Sequence, residues 1–180
     1  MTTMQGTRVH TTTTSPLGEL TLVGEDGALV GLYLPEHRRG PVAAGLGERV
    51  DDGFEDVVAQ LGEYFAGART RFDLALRPAG TPLQQRVWGL LTEIPYGRTA
   101  TYGELARRLG GPGLARAVGS ANARNPINVV VPCHRVVGGD GRLVGYAGGL
   151  DRKRWLLDLE QRVLPTQDGP VRPPHEKLLA

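Results

Sequence analysis

Two segments of the chain carry the same four-residue punctuation, Thr81-Pro82-Leu83-Gln84 and Thr101-Tyr102-Gly103-Glu104. In each, the threonine caps a helix while the Gln or Glu three positions on reaches back to the threonine's own amide. Two backbone donors that a helix end otherwise leaves without partners are thereby satisfied. The first box, with Pro82 in the first helical position, predicts a helix with Leu83, Val87, Leu90, Leu91 and Ile94 on one buried stripe, broken at "PYGR". The second predicts a short helix, "YGELARRL", stopped by Gly110-Gly111. Pro112 then opens a third, "PGLARAVGSAN", ending near Asn125-Pro126. Two short helices about a Gly-Gly turn form a helix-turn-helix pattern. A strand "INVVVP" and a hairpin "RVVGGDGRLVGY" follow, which suggests a winged-helix arrangement. A last helix, "LDRKRWLLDLEQRV", is expected to be capped by Asp151, with Leu150 stapled onto Trp155.

The chain before Thr81 reads differently. Residues 9–34 predict a β-meander with turns at "PLGE" and at Asp26-Gly27, a strong hairpin signal. A loop covers about 35–53. In "FEDVVAQLGEYFAG", Phe54, Val57, Val58, Leu61, Tyr64 and Phe65 share a helical face that Gly67 ends, and "RTRFDLALRPAG" reads as a returning strand. No chemical motif appears here, so residues 1–80 are expected to act as an α+β scaffold. Residues 81–163 form the second domain. Residues 164–180, with three prolines after Asp168 and little to bury, are expected to be a disordered tail.

Charge divides along the same line. Residues 1–80 hold 7 Arg against 11 Asp and Glu, a balance of 7 − 11 = −4, whereas residues 81–162 hold 12 basic against 6 acidic, or 12 − 6 = +6. Such asymmetry points to a polyanionic partner for the second half, against the plainer reading of a solvated basic surface. One cysteine closes no internal disulfide, no secretory leader or membrane-length apolar run is present, and the default compartment is the cytoplasm. The four histidines are scattered without metal-ligand spacing, so neither a metal nor another cofactor is expected.

The second helix of the helix-turn-helix is thin. Ala115, Ala117, Gly119, Ser120, Ala121 and Ala123 leave Arg116 as its main long side chain. A major-groove reader carries long polar side chains at these positions. A thin helix suits the minor groove, about 6 Å wide, and a planar cation suits the vacancy left when a base is rotated out of the stack. Close helix–helix packing is the competing reading.

Cys133 follows "NVVVP". Cysteine is among the most buried residue types, and inert packing is its plain reading. Against this, Pro132 ends the run, and the His134 and Arg135 cations that follow are expected to depress the thiol's pKa. Contact between Cys133 and His134 needs a turn there.

"PCHRV" with its Gly-rich hairpin, "GYAGG" and "KRWLLDLE", preceded by "LQQRVW", "IPYG", "TYGELA", "ARAVG" and "ARNPINVVVPCHRV", resembles the O6-alkylguanine-DNA alkyltransferases over residues 81–160. The first half matches in layout more than in motif. The resemblance implies an α+β chain: a ribonuclease-H-like α/β domain, then a winged-helix-like domain that binds double-stranded DNA through the minor groove. It implies a thiolate at Cys133 that takes the alkyl group, chiefly methyl, from O6 of a flipped guanine and is never regenerated, with O4-alkylthymine as a secondary substrate. His134 would deprotonate Cys133 through a water, Glu160 would orient His134, Asn125 would brace the region, and Tyr102 would donate to the base. Val136 and Cys133 through their carbonyls and Ala147 through its amide would read the guanine edge, with Tyr146 and Gly148 shaping the pocket. Arg116 would fill the vacated stack, and Thr101, Ala117, Gly119, Ala121, Asn122, Arg124 and Arg135 would line the DNA. The protein would act as a cytoplasmic monomer on a bacterial nucleoid, with cooperative binding along DNA left open.

Departures exist. The N-terminal zinc-binding Cys/His set of some members is absent, Asn122 places a polar group where an apolar one is expected, and Asn128 replaces a proline seen near the pocket rim. Val144 and the "GGDG" hairpin leave the pocket's width open. Two other classes compete. A binding-only module that recruits other repair lacks the reactive cysteine, and a Cys-His-Glu hydrolase would turn over without a basic helix-turn-helix.

Overall fold

The computed structural model describes residues 6–37, 40 and 45–168, with side chains as far as Val163. Strands β1 (Arg8–Ser15), β2 (Gly18–Glu25) and β3 (Ala28–Tyr33) form an antiparallel meander. At the β2–β3 turn, Asp26 and Gly27 take φ of 51° and 79°. Positive φ at both central residues matches the right-handed twist of the flanking strands. A two-residue strand not expected from the sequence, β4 (Glu48–Arg49), adds parallel to β1, giving the order β3-β2-β1-β4. Helix α1 (Glu55–Phe65) packs on this sheet through the buried Leu61 and Tyr64, while Val58 stays 39% exposed, so its apolar face is narrower than the sequence suggests.

Both capping boxes form as drawn from the sequence, at Thr81/Gln84 for α2 (Pro82–Thr92) and Thr101/Glu104 for α3 (Tyr102–Leu109). The third helix begins with a 3-10 turn at Pro112–Leu114 and continues as α4 (Ala115–Ala123). A second 3-10 turn, Cys133–Arg135, precedes β6 (Val136–Val137), which runs parallel to β5 (Ala100–Thr101).

Three expected elements differ. "RTRFDLALRPAG" makes one bridge, Leu29 to Leu76, and no strand, because Asp73 instead exchanges hydrogen bonds with the Gln60 side chain on α1 (2.8 and 2.9 Å). "INVVVP" is a wound turn: Val129 has φ of 70°, and Val130, Val131 and Cys133 donate to carbonyls two to four residues back. Its valines are buried without being extended, an ambiguity that an apolar run alone does not resolve. The hairpin keeps its tip, where Gly138 donates to Arg142 O at 2.8 Å, but its outgoing arm pairs with β5 rather than with a returning strand.

Helix α5 (Leu150–Asp168) begins one residue earlier than expected. Asp151 lies in its first turn, Leu150 is 45% exposed, and Trp155 packs against Phe65 instead. The helix runs beyond Val163, so the first part of the expected tail is helical; the expectation for residues 169–180 lies outside the described residues. No helix among the described residues is long and apolar enough to cross a membrane.

A single apolar core joins both halves, from Leu22, Leu32 and Tyr64 to Leu91, Val136 and Leu156. Backbone bonds cross the same boundary. Leu32 N donates to Pro126 O at 2.8 Å, and Asn128 N donates to Leu32 O at 3.0 Å. Arg152 on α5 donates to Leu17 O and Pro35 O. The turn that carries the cysteine is thus docked on the edge of β3.

Candidate active site around Cys133

Pro132, at φ −82° and ψ 63°, turns the chain into the 3-10 segment that presents Cys133. With three residues per turn, neighbouring side chains there stand about 120° apart, not on opposite faces as in a strand. Asn125 fastens this segment: its Nδ2 donates to Val131 O at 2.8 Å and its Oδ1 accepts from Ile127 N at 3.0 Å.

His134 and Glu160 are both 0% exposed, and Glu160 gathers four residues. His134 Nε2 lies 2.8 Å from Oε1, Tyr64 Oη donates to Oε1 at 2.7 Å, and Gly97 N donates to Oε2 at 3.2 Å. Arg135 donates from Nε to Oε2 at 2.9 Å and from Nη2 to Oε1 at 2.8 Å; its Nη1 donates to Ile94 O. Burial alone would raise the Glu160 carboxyl. The charges and hydrogen bonds of His134 and Arg135 outweigh it and hold the group well below the usual carboxylate range.

An ionised Glu160 accepts only, so the proton of a neutral imidazole sits on Nε2. Burial, assisted by Arg135 and Lys153, lowers the His134 pKa against the pull of Glu160. His134 Nδ1 is buried without a hydrogen-bond partner. The result is a neutral, oriented imidazole with an unused lone pair beside the cysteine.

Cys133 itself is 2% exposed, and its thiol is pushed up to about 11 by burial. Asn125, Lys153 and the amides of Cys133 and His134 oppose that rise without reversing it. Depression of the thiol by the neighbouring cations does not occur: His134 is neutral and Arg135 is neutralised by Glu160.

Polar groups surround the sulfur. Tyr102 and Tyr146, both raised by burial and then by Cys133, belong to its neighbourhood. Tyr102 Oη donates to Val144 O at 3.1 Å, and the Tyr146 hydroxyl is buried without a partner. Asn122 Nδ2 donates to Cys133 O at 3.4 Å, leaving its own Oδ1 unsatisfied. Unpaired buried polar atoms are uncommon, and those of Tyr146, Asn122 and His134 belong to three residues that interact with or adjoin Cys133, which marks a place built to receive polar groups.

The residues expected on DNA divide into two sets. Arg116 on α4 and Arg124 at its C-terminal cap are exposed, Arg124 reaching Ser120 Oγ, and Ala117 and Gly119 are half-buried. A Cβ on Gly119 would stand 3.8 Å from the Tyr102 ring, an ordinary contact, so the protein's own packing does not demand its smallness. The others face inward. Thr101 caps α3, Ala121 O accepts from Trp88 Nε1 at 2.9 Å, and Asn122 meets Cys133. Arg135, at 7% exposure, is the counterion of Glu160 and is withheld from a partner's phosphates.

Of the expected pocket residues, Val136 lends its carbonyl to Lys153 Nζ at 2.5 Å. Gly148 is buried against Leu34 of the first half, where a Cβ would come within 2.2 Å of Leu34 Cδ1. Ala147 lines a surface cleft of about 450 Å³ with Glu36, Asp151 and Arg152. Among the described residues, no three His, Cys, Asp or Glu side chains gather to hold a metal ion.

Sequence reasoning missed Lys153 and Tyr64. Lys153, 0% exposed, donates to Val136 O, Val144 O and Gly145 O, and burial lowers its pKa to about 8. Its signal was a lysine on the same α5 stripe as Leu156 and Glu160, at spacings of three and seven. Tyr64 carried no comparable signal, since it reads as one more core aromatic.

Comparison with known proteins matches residues 9–78 to the 6-O-methylguanine DNA methyltransferase ribonuclease-like domain, and residues 82–162 to the DNA binding domain of the same name. A methylated-DNA–protein-cysteine methyltransferase from Mycolicibacterium paratuberculosis is 51% identical over 156 residues, spanning 87% of this chain and 94% of that protein. One from Methanosarcina acetivorans is 45% identical over 146 residues, 81% of this chain and 94% of that protein. The crystal structure of Mycobacterium tuberculosis OGT in complex with DNA superposes with a TM-score of 0.80 at 48% identity, covering 86% of this chain and 94% of that one. The O6-methylguanine methyltransferase structure from the same organism gives 0.82 at 46%, covering 89% and 96%.

Proposed function

The chain belongs to the 6-O-methylguanine DNA methyltransferase family, and from that premise we propose that it repairs alkylated DNA by moving the O6-alkyl group of guanine onto Cys133. The reaction is one displacement. A bond forms between Sγ and the alkyl carbon, the bond from that carbon to O6 breaks, and its electron pair returns to guanine. The proton of Cys133 passes to His134 Nδ1, through a water. Glu160 stabilises the imidazolium that results and holds the ring in place. The Tyr102 hydroxyl, released from Val144 O, donates to the base as charge develops on it. A thioether is a poor leaving group, so each molecule acts once.

DNA binding belongs to the second half, and we assign it to the minor groove. Arg116 on α4 and Arg124 at its C-terminal cap, both exposed, flank in sequence the half-buried Ala117 and Gly119, a surface thin enough for a narrow groove. Arg116 fills the vacancy left by the extruded base. The protein acts as a monomer in the cytoplasm, and its binding is independent of sequence and weakened by salt.

The observation that carries this reading is the buried His134 ring, tied through Nε2 to an ionised Glu160 while Nδ1 stands unpartnered beside the chain's only cysteine. Intact-mass spectrometry after exposure to O6-methylguanine duplex tests it. One methyl group per chain, on the peptide containing Cys133, is the expected result, and Cys133→Ala should accept none while still binding the duplex. Repeated turnover, or undiminished repair by that variant, would overturn it.

A further inference from the structure

Asn128 is 1% exposed and has no part in the displacement just described. Its backbone N–H and its side-chain Nδ2 both donate to Leu32 O on β3, at 3.0 and 2.9 Å. Nδ2 also lies 3.1 Å from His37 Nε2. Leu32 O has no hydrogen to give, so the NH2 end of the carboxamide must face β3. Its Oδ1 is thereby turned to Cys133 Sγ, at 3.5 Å.

We propose that Asn128 is a positioning residue that holds Cys133 as a hydrogen-bonded thiol in the DNA-free protein, its orientation fixed by Leu32 and His37 of the N-terminal half. An acceptor oxygen stabilises S–H and repels S⁻. It acts against the groups that favour the thiolate, namely Asn125, the Lys153 ammonium and two backbone amides. The remaining polar groups near the sulfur are the hydroxyls of Tyr102 and Tyr146 and the neutral His134. A nucleophile used once has reason to be protonated at rest, since a standing thiolate would be consumed by any small electrophile. The first half of the chain thus gains a role that its lack of motifs did not suggest.

The inference rests on Cys133 being the alkyl acceptor, and its test is separable from that reading. With one cysteine per chain, the infrared S–H stretching band reports this thiol alone. In the wild-type protein without DNA it should lie below the band of a free thiol in an apolar solvent, and Asn128→Ala should move it back up. The pH midpoint for alkylation of DNA-free protein by iodoacetamide should fall by about one unit in Asn128→Ala, making alkylation near neutral pH about tenfold faster. A free-thiol band in the wild type overturns the inference whether or not the variant folds, and so does an unchanged midpoint in a folded variant. If the wild type instead takes no methyl group from methylated duplex, the proposed function fails while the S–H band still reports on Asn128.

Discussion

Replacing Arg135 by Met should cost the protein far more than replacing any exposed arginine. The guanidinium makes two close bonds to the Glu160 carboxylate and a third to Ile94 O, and its partner is fully buried. Methionine keeps an unbranched side chain at this place but removes both the counterion and the guanidinium that lies 5.6 Å from the centre of the Tyr96 ring. Removing one member of a buried pair costs about 3–5 kcal/mol. For a chain of this length that is a fall in Tm of about 6–20 °C. The deficit should also depend on pH. In the wild type the folded His134 pKa lies below its ordinary 6.5, so the unfolded chain binds the extra proton and stability declines as pH falls through that value. Without Arg135, Glu160 is balanced only by an imidazolium. The folded His134 pKa then rises above the unfolded one, giving stability that is full below about 6.5 and lost as pH rises through the new value. Glu160 is depressed in the wild type, and its contribution, present above 4.5, is lost only below this window. Urea unfolding followed by tryptophan fluorescence should therefore show a larger deficit at about pH 8 than at about pH 5.5. A loss under about 1 kcal/mol, typical of an exposed pair, or an equal loss at both values, would refute the assignment. Unchanged stability with weakened DNA binding would return Arg135 to the DNA surface.

Arg116→Ala should slow repair in duplex more than in single strands, because only the duplex has a vacancy to fill; equal slowing in both removes that role. Tyr64→Phe keeps the ring and deletes one donor to the Glu160 carboxylate, so it should lower stability by about 1.5–3 kcal/mol in denaturant titration. A loss of only a few tenths would show that the hydroxyl is dispensable. Lys153→Met leaves the carbonyls of Val136, Val144 and Gly145 without their shared donor and removes a cation whose charge favours the thiolate. Methyl transfer, timed by quenched mass spectrometry, should slow by at least about tenfold while duplex affinity stays within about twofold, and an unchanged rate would exclude Lys153 from the site.

Where backbone chemistry is local, the sequence was legible. Thr81 with Gln84, Thr101 with Glu104, and Asp26-Gly27 each specify geometry within four residues, and each forms as read. Where burial decides, it was not. Ile127–Val131 has a strand's composition, yet the amides of Val130 and Val131 close onto carbonyls within the segment, and only Ile127 and Asn128 reach β3, both at Leu32. Arg135 was expected beside the thiol as a cation and, by resemblance, along the DNA; its partner lies 25 positions on, on α5, where adjacency in sequence does not reach. The rise of the thiol pKa shows the same limit. Adjacent cations are visible in sequence, whereas desolvation and neutralisation by a distant carboxylate are not. Lys153 was readable in principle, as a charge placed on an apolar stripe.

The seam between β3 and the Ile127–Asn128 turn has a practical consequence for anyone cutting this polypeptide. Severed near position 80, the downstream fragment would keep every atom of the displacement chemistry yet lose the Leu32 carbonyl that seats Asn128 and the Tyr64 phenol that completes the carboxylate's shell. Neither piece should work alone. Mixed together, they have a non-covalent surface through which to complement one another, and recovered activity would then report their encounter.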